Sequence, residues 1–339
     1  MKAALIGLGM VSKTYADAIA ESDAVTLGPV FARNPASRTD FLAAHPDLGA
    51  HAADSLKDIA EDTSVDFAIL TTPPDARAEI VETLAQAGKP ILMEKPVERT
   101  LPAATRIVET CERSGVPLGI MLQHRARPVA EDLAARMRSL GPLVAVEVNV
   151  PWWRPQAYYD EPGRGTYARD GGGVLISQAI HTLDLMLTLT GPVSEVTAMC
   201  VTTTRHRMEA EDFVVAGLQF ANGAVGQLFA TTAGFPGAGE TITLHCRDAS
   251  ARLGAGILKI DWLDGRSESS GESMASGAGA DPMAFASDWH RLVIEDFAEA
   301  VSAGRPPLIP GRSALAVHAL IEAIERSGRT GTRVKVEGQ

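Results

Sequence analysis

The chain is poor in cysteine. Cys111, Cys200 and Cys246 are odd in number, widely spaced and free of any CxxC pairing. That excludes a disulfide framework and a zinc ribbon, and it suits a reducing cytoplasm. Long apolar runs are also missing, so nothing approaches the ~20 residues a membrane-spanning helix needs. The N-terminus passes directly into Lys2-Ala3-Ala4-Leu5-Ile6-Gly7 with no extended apolar segment, and no signal peptide is expected. Positive charge is in deficit: 31 Lys and Arg stand against 42 Asp and Glu, for a net charge of −11. Binding to a nucleic-acid backbone or an anionic membrane is therefore not expected. Tryptophan and tyrosine are rare, four of each, which makes their placement informative.

What remains has the composition of a globular protein, with 45% hydrophobic and 22% charged residues. The 339 residues favour two domains over one. No internal repeat is present. One segment, Ser267 to Ala280, is rich in Ser, Gly and Ala and reads as a flexible loop.

The apolar stretch Ala3-Ala4-Leu5-Ile6 runs straight into Gly7-Leu8-Gly9-Met10-Val11-Ser12, and a helical pattern follows over residues 11–21. Strand, glycine turn and helix in that order match a dinucleotide-binding fingerprint, with G-x-G-x-x-S in place of G-x-G-x-x-G/A. Gly7 permits the tight turn, and Gly9 lets the backbone with Met10 and Val11 approach a pyrophosphate at the helix N-terminus. Ser12 is nearly small enough for the close helix–strand packing required there. Strand candidates at 26–32, 66–70, 90–93 and 117–121 alternate with helical patterns at 36–44, 75–87 and 101–113. Such alternation predicts βαβ units and a doubly wound parallel sheet.

Two further motifs fall on the carboxyl edge of that sheet. Thr71-Thr72-Pro73-Pro74 ends one strand, and Glu94-Lys95-Pro96 ends the next. Open α/β sheets bind ligands along this edge, so the three motifs together describe a cofactor cleft. The second strand ends Val30-Phe31-Ala32-Arg33-Asn34, with Arg38 one turn later and no carboxylate at the tip. A guanidinium pairs well with a ribose 2′-phosphate, which favours NADP over NAD. The alternative is that Arg33 and Arg38 stack on the adenine or face solvent, and NAD is accepted.

After Leu122 the texture changes, and the boundary is set there: residues 1–122 and 123–339. Gln123-His124-Arg125 leads into a helix near 128–138. Strand patterns follow at 143–150, 193–202, 212–220, 224–232, 240–246 and 257–263, predicting an α+β domain with a large, mainly antiparallel open sheet. Helices close the chain at about 287–303 and 312–327, free to pack back on the first domain.

One helix, at about 174–190, interrupts the strands. It opens on Gly171-Gly172-Gly173 and carries Ser177, His181 and Asp184, spaced to share one face of an α-helix. A His-x-x-Asp pair of this kind is either a satisfied buried hydrogen bond or part of a catalytic site; no metal site is expected. Between the domains, Pro151-Trp152-Trp153-Arg154-Pro155-Gln156-Ala157-Tyr158-Tyr159 continues through Arg164, Tyr167 and Arg169. It holds two of the four tryptophans and three of the four tyrosines. This stretch either stacks on and bonds a polyhydroxylated substrate or forms an aromatic subunit interface.

With the glycine loop, Glu94-Lys95-Pro96 and Gly171-Gly172-Gly173…His181-x-x-Asp184 in register, the chain resembles the Gfo/Idh/MocA oxidoreductases, relatives of glucose–fructose oxidoreductase and inositol dehydrogenase. The resemblance spans essentially the full length. It implies a Rossmann domain and a C-terminal α/β domain whose open sheet forms homodimers or homotetramers. It also implies hydride transfer between NAD(P) and a carbon of a sugar, cyclitol or sugar acid. The family's catalytic lysine and histidine fall on Lys95 and His181. Asp184 matches a position used near substrate, with Ser177, Trp152, Arg154, Tyr159, Arg164 and Arg125 as further substrate-binding candidates. Gly7, Gly9, Met10, Val11, Arg33, Asn34, Arg38, Thr71, Thr72, Pro73, Glu94 and Lys95 are the cofactor-binding candidates.

The sequence departs from the family at Ser177, where an Asp often supports the histidine. An alcohol gives up hydride only as its hydroxyl proton leaves, so a base must be in reach. Either His181 takes that proton while Lys95 holds the oxygen, or Lys95 takes it. Two other readings stay open: a non-redox enzyme that uses NAD as a transient oxidant, as NAD-dependent glycosidases do, and a catalytically silent cofactor sensor.

Overall fold

A computed structural model describes residues 1–273, 278–279 and 287–338. The chain divides into two compact units, each with its own sheet.

The first unit takes residues 1–98 and 102–123. Its six strands are β1 (Lys2–Ile6), β2 (Thr26–Phe31), β3 (His51–Ala52), β4 (Phe67–Leu70), β5 (Ile91–Glu94) and β6 (Leu118–Met121). They lie in the order β3-β2-β1-β4-β5-β6, every pair parallel. β4 and β5 are buried throughout, because helices cover both faces of a doubly wound sheet and leave no polar face to alternate with. The order reverses between β1 and β4, and the crevice at that reversal opens at the strands' carboxyl ends. Two elements were not visible in the periodicity: the two-residue strand β3 and a helix at Leu56–Glu61, whose start is closed by a Ser55/Asp58 capping box.

The unit is not contiguous in sequence. Its last large element is the helix Asp288–Ala303, far along the chain, which packs against the first helix, Ser12–Ala20, and against β6. Trp289, Val293, Ile294 and Phe297 form its buried stripe, the three-to-four spacing of one helical face. The Phe297 ring meets Phe67 edge-on at 5.4 Å. It also covers Gly119 so closely that a Cβ there would stand 2.6 Å from the ring.

The second unit is built on a nine-stranded sheet: β7 (Leu143–Pro151), β8 (Val193–Val201), β9 (Phe213–Phe220), β10 (Val225–Thr231), β11 (Thr241–Cys246), β12 (Ala249–Gly254), β13 (Ile257–Trp262), β14 (Ser267–Gly271) and β15 (Val334–Lys335). The order is β14-β13-β12-β11-β7-β10-β9-β8-β15. Only β7 and β10 run parallel; the other neighbours are antiparallel. Strict alternation of burial along β9 shows a sheet covered on one face. On that covered face the helix Ile180–Thr190 lies against β7 and β11.

The expected loop at Ser267–Ala280 is corrected in part. Ser267–Gly271 pairs with β13 as an edge strand, because main-chain bonding does not need apolar side chains. Residues 274–277 and 280 of that stretch lie outside the described residues. The helix expected at 174–190 is also not uniform: Leu175–Ala179 forms a π-helical turn before regular helix begins at Ile180. Four residues make about one turn at either winding, so the wider turn does not by itself undo the spacing that put Ser177 on the face of His181.

Candidate active site

In the first unit, Gly7 leaves β1 with φ +100°. A Cβ at that position would lie 2.7 Å from Thr72 N and 2.9 Å from the Thr71 carbonyl carbon, so no larger residue fits against the end of β4. At Gly9 an added Cβ would meet nothing within 4 Å, so the main chain there is open to approach. Ser12, in the third position of the fingerprint, is buried and donates its hydroxyl to Gly9 O at 2.7 Å. It stabilises the loop it was expected only to tolerate. Thr71 Oγ1 donates to Gly7 O. Thr72 Oγ1 is buried with no hydrogen-bond partner among the described residues. An open glycine backbone, a helix N-terminus and a buried hydroxyl in want of a partner fit a dinucleotide phosphate.

β5, on the far side of β4 from β1, ends in Glu94, and Lys95 follows it. The Glu94 carboxylate is buried and accepts from Tyr15 OH at 3.0 Å. Burial pushes its pKa up, while Lys95 and Arg77 pull it down. Burial and the Glu94 charge likewise raise Tyr15, which stays a phenol and a donor. His290 lies against the Tyr15 ring edge-on at 5.5 Å, with Nε2 4.0 Å from Glu94 Oε1. That approach is not an ion pair: burial, and after it the Lys95 ammonium, push the imidazole down to about 3, so it is neutral.

Arg77 organises the turn from beneath. It is among the most buried side chains of the protein. Its Nε and Nη2 donate to Thr72 O at 3.0 and 2.8 Å, and Nη1 donates to the carbonyls of Glu94 and Pro96. One guanidinium therefore ties the end of β4 to the Lys95 turn. Its burial lowers its pKa to about 10, still far above neutrality.

At the tip of β2, Asn34 caps the next helix by accepting from Ala36 N at 3.0 Å. Arg38 is turned inward: Nη1 donates to Ala53 O, and its guanidinium lies over the Phe31 ring at 5.8 Å. Arg33 is exposed, as is Met10.

In the second unit the glycine triplet is shaped by Glu211. A Cβ on Gly173 would stand 1.8 Å from Glu211 O. The Glu211 carboxylate accepts from Gly173 N at 3.2 Å and Leu175 N at 3.1 Å, satisfying donors at the start of the helix that carries His181.

His181 and Asp184 are both buried. Arg125 grips Asp184 with two bonds, Nε to Oδ2 at 2.7 Å and Nη2 to Oδ1. Both carboxylate oxygens are thus engaged by a side chain that was itself a substrate candidate. Burial pushes the Asp184 carboxyl up and Arg125 opposes it. Beside His181 lies His124, ring centroids 5.0 Å apart and 32° from parallel. His124 Nε2 is in close contact with Arg127 Nη2, which also donates to Glu240 Oε1 at 2.8 Å.

The aromatic stretch folds around two guanidinium groups. Arg154 is buried between Trp152 and Tyr158, over their rings at 5.2 and 5.7 Å, and donates to Trp153 O and Gly279 O. Arg164 lies over Tyr158 at 4.9 Å and pairs with Glu161 at 3.1 Å. The Tyr159 hydroxyl shares a hydrogen bond with Thr232 at 2.6 Å. Arg154 and Tyr159 are thus engaged by neighbouring protein groups, while Trp152 Nε1 and Gln178 Oε1 are buried polar atoms with no hydrogen-bond partner among the described residues.

Sequence reasoning missed Arg77, Tyr15, His290, His124, Arg127, Glu240 and Glu211. None sits in a motif, and each acquires its role from contacts between residues distant in the chain. The one available signal was compositional: His124, Arg125 and Arg127 in one short run, at the point where the sheet pattern changes.

Residues 1–122 match a family described as an oxidoreductase family with an NAD-binding Rossmann fold, and residues 134–252 match the GFO/IDH/MocA C-terminal domain. The WlbA dehydrogenase from Bordetella pertussis, crystallised with NADH and UDP-GlcNAcA, is 30% identical and superposes with a TM-score of 0.84, over 99% of this chain and 97% of that one. D-apiose dehydrogenase from Rhizobium rhizogenes is 24% identical over 99% of this chain and 97% of its own length. Rhizopine catabolism protein MocA from Rhizobium meliloti is 30% identical over 55% of this chain and 56% of its own. A glycine turn and a lysine at the carboxyl edge of one sheet, a His-x-x-Asp helix in the other unit and family matches to both place this chain in the Gfo/Idh/MocA family of oxidoreductases.

Proposed function

We propose that the protein is an NAD(P)-dependent dehydrogenase or reductase acting on a CH–OH carbon of a sugar, cyclitol or sugar acid. The observation that carries this is Lys95, set by Arg77 at the carboxyl end of β5, one strand from the β1–β4 switch point with its glycine turn. The nicotinamide, when bound, supplies the two-electron acceptor or donor. Lys95 holds the substrate oxygen and stabilises the negative charge that develops on it. His181 accepts the hydroxyl proton in oxidation and returns it in reduction. If His181 does not, Lys95 takes the proton, and the nearby Glu94 carboxylate works against the neutral amine this would need.

Asp184 is assigned through Arg125, which it orients. Trp152 Nε1 and the Gln178 amide offer partners for substrate hydroxyls, and Arg164 offers a cation for an acidic one. A relative crystallised with UDP-GlcNAcA supports the sugar-acid option. The test is a panel of cyclitols, aldoses and sugar acids, read as nicotinamide reduction. Turnover of at least one is expected. Hydrolysis or elimination of a panel member with no net change in nicotinamide would overturn the reading.

The cofactor preference leans to NADP on Arg33 alone, since Arg38 is held on Ala53 O. Arg33→Ala is expected to weaken NADPH binding about tenfold, the worth of a charge-assisted phosphate contact, and to leave NADH nearly unchanged. Fluorescence titration with both cofactors reads this. Equal effects on the two, or tighter NADH binding by the variant, refute the NADP preference.

We also propose homodimers or homotetramers through the open face of the nine-stranded sheet. Met199, Val201, Val215 and Val225 are exposed apolar residues of that sheet, and Met199 and Val215 are register partners. A cytoplasmic location accords with three free cysteines. Among the described residues no helix is long and apolar enough to cross a membrane.

A further inference from the structure

His181 has lost the carboxylate expected at position 177, and the structure places another ring against it. The turn Gln123–Ala126 brings His124 to within 5.0 Å of His181, centroid to centroid, with both side chains buried. Behind His124 stand Arg127 and Glu240, an ion pair whose two side chains are each only 4% exposed.

The chemistry of this contact is one-sided. A guanidinium has five N–H donors and no acceptor, so the nitrogen that meets Arg127 Nη2 must offer its lone pair. His124 Nε2 is therefore an acceptor, and the ring is the neutral tautomer with its proton on Nδ1. Protonating Nε2 would set two donors against each other beside a buried cation. Glu240 Oε1, at 3.9 Å from Nε2, is committed to Arg127 at 2.8 Å. On the other side of the pair, Arg125 and Asp184 neutralise each other one turn beyond His181. Two imidazoles packed together cannot both carry charge cheaply, and such a pair titrates as a unit.

We infer that His124 is a positioning residue for His181, locked by Arg127 and Glu240 in one neutral tautomer so that a proton arriving at the pair resides on His181. This rests on the reading of His181 as the proton-accepting group. The lock removes the competing site, and the neutral ring supports the imidazolium without repelling it. Ser177, with only a hydroxyl, does not have to supply that support.

The test is two-bond 1H–15N correlation spectroscopy of the full chain labelled on histidine, with NADH present, from about pH 5 to about pH 9, the range over which an imidazole titrates. Signals are assigned with His124→Phe and His181→Asn. In the wild type, His124 is expected as the Nδ1-protonated tautomer throughout, with His181 the member of the pair that titrates. In Arg127→Met/Glu240→Gln, which removes the ion pair without leaving either charge buried alone, His124 is expected to begin titrating. The apparent pKa of His181 should then fall by at least about one unit, a tenfold loss of proton affinity. His124 titrating in the wild type, or His181 unmoved in the double variant, would overturn the inference. Turnover by His181→Asn separates the two readings: an unchanged rate removes His181 as the base, whereas the spectra report the lock regardless of rate.

Discussion

Lys95→Ala is expected to lower kcat by more than about 100-fold on any substrate the wild type turns over, the usual cost of removing a positioned acid–base or charge-stabilising group. The ammonium is placed by main-chain geometry, since Arg77 ties Thr72, Glu94 and Pro96 around it. The substitution leaves that framework intact. NADH binding should accordingly change far less than kcat, by under about tenfold, because an interaction made in the transition state is lost while ground-state binding largely remains. Steady-state kinetics and nicotinamide fluorescence on the same preparation separate the two. A variant with wild-type kcat on every substrate would end the dehydrogenase assignment. A parallel loss of kcat and cofactor affinity would mean instead that Lys95 serves mainly to bind the cofactor.

The second large effect is on stability and belongs to Glu325. Burial, and after it the charge of Glu211, push this carboxyl from 4.5 up to about 8, against a modest pull from Arg329. Its side chain is 15% exposed, and Oε1 faces Gly172, where a Cβ would stand 3.0 Å away. Below the ordinary carboxyl range both the folded and unfolded chains hold the proton, and stability does not depend on this group. Between that range and about pH 8 the unfolded chain releases the proton while the folded chain keeps it, so stability falls as pH rises. Above about pH 8 the full penalty is present. At about 1.4 kcal/mol per unit the ceiling is near 5 kcal/mol, and partial exposure makes the realised value smaller.

Glu325→Gln removes the ionisation and keeps the shape. Its melting temperature is expected to match the wild type near pH 5 and to exceed it by roughly 5 °C near pH 9. Thermal melts across that range decide the matter. A difference independent of pH would show that the carboxyl ionises freely in the folded state.

Much of this architecture could be read from local pattern. Five of the six parallel strands of the first unit, its glycine turn and the lysine at the end of β5 appear as apolar runs closed by Gly, Pro or charge. Six of the nine strands of the second sheet, β7 to β11 and β13, announce themselves in the same way. What failed was short or weakly patterned: β3 is two residues long, β12 holds one large apolar residue, Leu253, β14 is polar, and β15 is too brief to show a period. The π turn at Leu175–Ala179 failed for a different reason. An apolar helix buried on all sides reads alike at either winding, so the π turn itself left no mark in the pattern.

The sequence by itself determined the kinds of secondary element, the two motifs that end on the sheet edge of the first unit and the family to which they point. These follow from backbone preferences and nearest-neighbour spacing, which act within a few residues. Only the tertiary structure decided who stands behind the functional groups: Arg77 under the Lys95 turn, Tyr15 and His290 around Glu94, Arg125 on Asp184, and His124 with Arg127 and Glu240 beside His181. Their effect depends on burial and on which partner packing brings within hydrogen-bond reach. A charge or an imidazole acquires its role only when water is removed from around it and a particular neighbour takes its place.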